Sequence, residues 1–302
     1  MAIIETIIPI FLIIIFGYIL QQRGMLKAEF IQEANRFVFL FSLPVLIFTG
    51  IMKSDIKDVG LTNILLVIIP TLIILCVAFL LALAMGLRSG TLGSFVQTTF
   101  HGNITYIGLA VLYYMLGEEG LKKGSILIGF LILVNNTLAI AILSWTSQRH
   151  TNILKSLASI AKTPLIVATF VGMLLLYLDI PVPKLLMKSM GILANIALPM
   201  ALIIIGASMS VSTIKSSFRL SGIVAIMKLM VLPSLSFLFC YLYAIPLRDA
   251  LPGIILLATP TATTSFILAN QLGGDTELAS GVITLSTLLS PFAFIFWAYI
   301  VG

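Results

Sequence analysis

Long apolar runs alternate with short polar clusters throughout this chain, a pattern that predicts membrane helices and not a water-soluble core. A bilayer core takes roughly 20 apolar residues per helix. That length parses the chain into ten spans, near 3–21, 35–52, 61–86, 91–116, 124–145, 163–179, 188–211, 220–244, 249–272 and 277–301. The sixth is short. The connections are also short and leave no room for a soluble domain, which argues against a receptor, a kinase or an enzyme with an external catalytic domain. The expected fold class is an all-α polytopic membrane protein.

Composition sharpens this. Hydrophobic residues make up 60% of the chain and charged ones 9%, where a soluble domain carries about 25% charge. The mean hydropathy is +1.18. One core could not hide that much apolar surface, so lipid must solvate part of it. The stretch from Pro9 to Leu20 has no basic residues before it, Glu5 stands there instead, and no small-residue cleavage site precedes Gln21, Gln22 and Arg23. It therefore reads as the first membrane helix and not as a signal peptide. Cys76 and Cys240 lie inside apolar segments and read as packing residues without a disulfide. The net charge of +6 is dispersed over short loops with no aromatic-interleaved patch, so nucleic acid is not an expected partner.

Loop charge sets the orientation. The odd-numbered loops hold nine Lys and Arg residues against seven in the even-numbered ones, and the run from Arg149 to Lys162 is the strongest anchor. The expectation is that odd loops face the cytoplasm and both termini lie outside, in the plasma membrane, or inner membrane, of a bacterium.

The halves resemble each other, which suggests repeats over 1–150 and 151–302. Pro9 and Gly17 match Pro164 and Gly172 at an offset of 155, as Ser42-Leu43-Pro44 matches Ala197-Leu198-Pro199. Met115-Leu116-Gly117 matches Gln271-Leu272-Gly273 at 156. Five spans per half is an odd number, so the second copy enters the membrane with opposite polarity, the inverted repeat of many secondary transporters.

Each half also carries an apolar span interrupted by residues that suit a helix interior badly. Span 4 has Thr98-Thr99-Phe100-His101-Gly102-Asn103-Ile104-Thr105, and span 9 has Ala258-Thr259-Pro260-Thr261-Ala262-Thr263-Thr264-Ser265. Gly and Pro open the hydrogen-bond ladder, and Asn, Thr and Ser can satisfy the groups it releases. Unwound backbone at membrane depth survives only inside protein or beside a wet cavity. At the offset of 156, Asn103 aligns with Thr259, so the two breaks are expected to cross near the midplane.

Other polar residues at lipid depth are candidates for the same site. Lys228 lies well inside span 8, where it either serves the site or snorkels to the interface. His101 precedes the first break and either exchanges a proton or hydrogen-bonds a carbonyl. Asn135 and Asn136 form an adjacent pair in span 5, only one of which can face a cavity. Asn195 lies in span 7. Thr284, Ser286, Thr287 and Ser290 put hydroxyls in span 10, to support the second break or to allow close packing. The chain has no His-Glu-x-x-His metal site, phosphate-binding Gly-Lys-Ser/Thr loop or Gly-x-Ser-x-Gly elbow. No cofactor or metal is expected.

These residues resemble the auxin efflux carrier family, which includes plant PIN carriers and bacterial permeases for malate and malonate, within a superfamily similar to the sodium-coupled bile-acid transporters. The resemblance covers essentially the whole chain. It is carried by His101-Gly102-Asn103-Ile104-Thr105-Tyr106-Ile107-Gly108-Leu109-Ala110, by Pro260-Thr261-Ala262 with Ala269-Asn270-Gln271-Leu272-Gly273-Gly274-Asp275, and by the tail from Leu278 to Ser290. The chain departs from the family pattern at Thr105 and Ala110, where Gly and Pro are frequent, and at Leu272, where Tyr is usual.

The resemblance implies ten helices in two inverted five-helix repeats, with spans 4 and 9 crossed and broken. Spans 1, 2, 6 and 7 would form a scaffold domain, and spans 3–5 and 8–10 a transport domain. It also implies a homodimer through the scaffold. The expected function is secondary active transport of a small organic anion, a dicarboxylate or related carboxylate, by alternating access. The expected substrate-binding residues are Asn103, His101, Gly102, Thr105, Thr259, Pro260, Thr261, Thr263, Asn135, Asn136 and Lys228. The residues leave coupling to protons, to sodium or to membrane potential open. The rivals are a sodium-coupled importer of bile-acid-like or other organic solutes, an integral membrane enzyme, and a non-transporting sensor or scaffold.

Overall fold

In a computed structural model of the protein, the described residues are 2–55, 60–147, 158, 160–209 and 214–301. The fold is all-α. In chain order its main helices are α1 (Ala2–Gln22), α2 (Ala28–Phe37), α3 (Leu43–Met52), α4 (Leu61–Ala84), α5 (Ser89–Phe100), α6 (Leu109–Thr146) and α7 (Pro164–Tyr177). There follow α8 (Lys184–Ala194), α9 (Ala197–Ala207), α10 (Ile214–Ile226), α11 (Leu232–Leu242), α12 (Leu247–Leu257), α13 (Thr264–Leu272) and α14 (Thr276–Val301). Among the described residues, seven helical segments are long and apolar enough to cross a membrane. Helix is what such sequence must form in lipid, because there every backbone polar group has to find its partner within the segment.

Two long segments carry a π turn just ahead of a proline. Val38–Ser42 joins α2 to α3 before Pro44, and Met227–Val231 joins α10 to α11 before Pro233. Proline lacks an N–H, and its ring crowds the carbonyl one turn earlier. The ladder widens in response, so the Leu43 N–H reaches Val38 O and the Leu232 N–H reaches Met227 O. The second of these turns carries Lys228.

The α6 stretch is a reversal and not one rod. A continuous helix of 38 residues would be about 57 Å long, nearly twice a hydrocarbon core of roughly 30 Å. Gly117 breaks it with φ +62, a left-handed conformation that glycine adopts without a Cβ penalty. Beyond it the chain folds back until Gly120 lies against the Leu112 carbonyl, and Gly124 against the Leu109 and Leu112 side chains.

The chain forms two compact units. The first comprises residues 1–62, 105–130 and 161–209, the second 63–104, 131–160 and 210–302. In the first unit α1 packs on α9, with Gly17 against the Ile203 backbone and Gly206 against that of Ile14, so the two helices touch backbone to backbone. Here α3 packs on α7 and α8. In the second unit α10 packs on α14, where the Trp297 indole donates to Leu229 O at 2.9 Å, and Ser236 of α11 donates to Leu66 O of α4 at 2.8 Å. Cys240 is buried, as a packing residue should be, but Cys76 is exposed, in an apolar groove with Phe79 and Trp145. Both cysteines are free. The boundary near residue 150 and the basic residues Arg149 and Lys155 lie outside the described residues.

Candidate functional site

The second unit brings together the two interrupted spans. Helix α5 ends at Phe100, and α12 ends at Leu257. Between α5 and the π turn Ile104–Gly108 run His101, Gly102 and Asn103 in non-helical backbone, and Ala258 to Thr263 separate α12 from α13. The two openings face each other antiparallel, with Gly102 bridged to Thr261. The Asn103 N–H donates to Pro260 O at 2.7 Å, and the Ala262 N–H donates to His101 O at 2.8 Å. Each break thus supplies the partners that the other lost, which is how unwound backbone persists away from water.

Side chains complete the accounting. Thr261 donates through its hydroxyl to Thr98 O at 2.8 Å, and its N–H donates to Ser286 Oγ at 3.0 Å. Thr259 donates to Leu256 O at 2.7 Å. Gly102 is required by close approach. A Cβ there would overlap the Thr259 hydroxyl and lie 3.0 Å from Lys228 Nζ.

Lys228 does not snorkel. It is 1% exposed, and its ammonium donates to Leu257 O at 2.6 Å. Leu257 is the last residue of α12, and a helix C-terminus carries an effective negative partial charge. Among the described residues no carboxylate pairs with Lys228, so that helix end is its counter-charge.

The remaining candidates divide. His101 is buried, and its Nδ1 lies 3.3 Å from the Gln97 amide nitrogen. Thr263 stands half-buried ahead of α13. Asn136 donates to Ile132 O of its own helix, whereas Asn135 is buried and its Oδ1 has no hydrogen-bond partner among the described residues. Thr105 is buried but falls in the first unit. Asn195 also lies in the first unit, where it lines a cavity of about 340 Å³ with Lys53, Tyr113, Tyr114 and Glu118.

Two contributors were not among the expected site residues, although the second lies in a motif that carries the family resemblance. Gln97 sits one turn before His101, at the i, i+4 spacing that places both on one helix face. The turn Gly273-Gly274-Asp275 ties the far ends of the broken spans together. Ser94 Oγ accepts from the Asp275 N–H at 2.8 Å, and Thr91 donates to the Asp275 carboxylate at 2.9 Å. Of the hydroxyls in α14, Ser286 supports the second break, while Thr284, Thr287 and Ser290 bond carbonyls of their own helix.

Paired openings of two apolar helices, closed by backbone and lined by amides, hydroxyls and an ammonium, are the kind of site that membrane transport proteins build. The comparisons are specific: the model of the Mem_trans family, described as membrane transport protein, matches residues 2–156 and 146–298, and the chain belongs to that family. It is 26% identical to a Rhizobium meliloti (strain 1021) transporter whose name proposes malonate as its cargo, over 94% of this chain and 91% of the relative. It is 23% identical to an uncharacterized transporter of Methanothermobacter thermautotrophicus, over 98% and 97%. An uncharacterized transporter of Methanocaldococcus jannaschii is also 23% identical, over 98% of each chain. The protein is therefore a multi-pass membrane transporter of small molecules in a family related to organic-acid transporters, and not an enzyme.

Proposed function

We propose that the chain is a secondary active transporter of a small organic anion, a dicarboxylate or related carboxylate, working by alternating access. On this reading it belongs to the auxin efflux carrier branch, crosses a bacterial inner membrane ten times in two inverted five-helix repeats, and has both termini outside the cytoplasm. The observation that carries the proposal is the paired opening of two spans at Gly102 and Thr261. Such an opening would serve no purpose in a passive bundle, and it offers backbone amides and half-helix ends at the depth where carriers bind their cargo.

The anion would bind beside the crossing. Thr263 and Thr264 lie at the N-terminal end of α13, where the Thr264 side chain is exposed and neither N–H has a hydrogen-bond partner among the described residues. Amides at a helix start favour negative charge. Asn103, Gly102, Thr259 to Thr261 and the Lys228 ammonium would complete the cradle, with His101, Asn135 and Asn136 in supporting positions. The crossing residues Asn103, Thr259 and Thr261 are buried, so loading requires the second unit to open them, and the side on which they open would set the direction of exchange. The name of the Rhizobium meliloti relative supports a dicarboxylate as the first cargo to try.

The test is uptake by the purified protein in sealed liposomes, with labelled malonate, malate, succinate and an aromatic carboxylate under separate pH, sodium and voltage gradients. The expected result is saturable uptake of at least one dicarboxylate, lost in a folded Asn103→Ala variant. Uncharged solutes carried in place of all the anions would overturn the anion assignment.

A further inference from the structure

Lys228 spends a buried charge on a backbone carbonyl. An unpaired ammonium at lipid depth is costly, and among the described residues the hydrogen bond that offsets this cost is the one to the C-terminal end of α12. Two other carbonyls of that helix end have partners of their own. Ile254 O accepts from the Ala258 N–H, and Leu256 O accepts from the Thr259 hydroxyl. Leu257 O is left for the cation. In a discontinuous membrane helix, the carbonyls of a half-helix end are what an alkali ion would coordinate.

The placement is also one-sided. At the offset of 156 that relates Asn103 to Thr259, Lys228 corresponds to Leu72, which is 43% exposed. The equivalent carbonyl end of α5 has a neutral cap, the Thr261 hydroxyl on Thr98 O. At one half-helix end of the crossing a carbonyl therefore accepts from an ammonium, whereas at its counterpart a carbonyl accepts from a neutral hydroxyl.

We propose that the Lys228 ammonium is the resident cation of the crossing: it occupies the carbonyl end of α12, where a sodium ion would otherwise bind, and so makes the carrier independent of sodium. The inference rests on the carrier reading given above and adds to it a determinant of ion coupling. The ammonium has three N–H donors and spends one on Leu257 O. The other two leave it able to meet a substrate carboxylate while it holds the helix end.

Two readouts separate this proposal from the carrier reading. In the first, wild type and Lys228→Met are melted in detergent with sodium, potassium, methylammonium or choline chloride at equal ionic strength. Wild-type melting is expected to be the same in all four salts. The variant is expected to melt lower in choline and to be raised selectively by sodium or methylammonium, small cations that can enter the vacated space. In the second, uptake in liposomes is compared in sodium and in choline. Wild type is expected to keep its rate, while Lys228→Met loses roughly tenfold or more in choline, the scale of a lost charge-assisted hydrogen bond, and regains part of it in sodium.

Sodium-selective stabilisation of wild type, or wild-type uptake that falls tenfold on replacing sodium with choline, would overturn the proposal while leaving the carrier intact. A folded Lys228→Met protein with wild-type melting and no response to any cation would also overturn it. If the variant does not fold, the wild-type arms decide alone. If no anion is carried, the carrier reading fails, and the melting series still tests the cation.

Discussion

The two interrupted spans differ at the ends of their first halves. Span 4 stops at His101-Gly102-Asn103 and hands its Thr98 carbonyl to a neutral hydroxyl, whereas span 9 stops at Thr259-Pro260-Thr261 and hands its Leu257 carbonyl to an ammonium. Their backbones meet on equal terms, one N–H donated in each direction across the bridge. The chemistry around the bridge is not equal. Pro260 has no N–H to give, so its strand of the bridge accepts through Pro260 O and donates only from Ala262. Two openings joined by the same backbone pattern thus differ in what caps their helix ends, an ammonium at one and a neutral hydroxyl at the other.

The largest effect should come from crowding the crossing where the two spans are closest. Gly102→Val puts methyl groups into the space held by the Thr259 hydroxyl and Lys228 Nζ, and overpacking of this kind costs about 1–3 kcal/mol or more. A clear fall in melting temperature is expected in detergent, and unchanged melting would mean that the spans are not locked at this point. A smaller effect should follow Thr261→Val, which leaves the buried Thr98 carbonyl without its donor. The expected loss is about 1–3 kcal/mol, against only a few tenths for Thr99→Val, whose hydroxyl bonds back to Phe95 O in its own helix. Equal melting of the two variants would remove the contrast between a cap across the crossing and a back-bond within one helix. The smallest effect belongs to an ion pair away from the crossing. Lys53 and Glu118 sit 3.0 Å apart in the first unit with side chains 46% and 57% exposed, and such pairs contribute roughly 0–1 kcal/mol. Lys53→Ala should therefore shift melting little, and less again at high salt. A loss as large as that of Thr261→Val would show that an exposed ion pair contributes here as much as a buried neutral cap.

Much of this arrangement is legible in the sequence, for identifiable reasons. Gly102-Asn103 and Thr259-Pro260-Thr261 stand out because polar and helix-breaking residues are rare in apolar runs long enough to span lipid. Lys228 stands out for the same reason. Its partner does not, since a backbone carbonyl 29 residues away has no side-chain signature. The register of the bridge was hidden too. The repeat offset pairs equivalent residues, Asn103 with Thr259, whereas an antiparallel crossing joins Asn103 to Pro260 and His101 to Ala262. Nor did the apolar pattern show which faces meet lipid, as Cys76 illustrates. The π turns before Pro44 and Pro233 follow from proline chemistry, but a helix can answer a proline by kinking or by widening, and only the surrounding packing selects between them.

The bridge between Gly102 and Thr261 joins residues roughly 160 positions apart in the chain, and that separation bears on biogenesis. At about 5–20 residues per second of synthesis, roughly 8–30 s pass between the emergence of the first break and that of its partner. Through that interval the backbone of His101 and Asn103 must be hydrated or held by other protein, because exposed amides and carbonyls are not tolerated in hydrocarbon. The first break is thus unfinished as a membrane structure until its partner arrives, and the crossing that would carry cargo in the mature protein can form only late in synthesis.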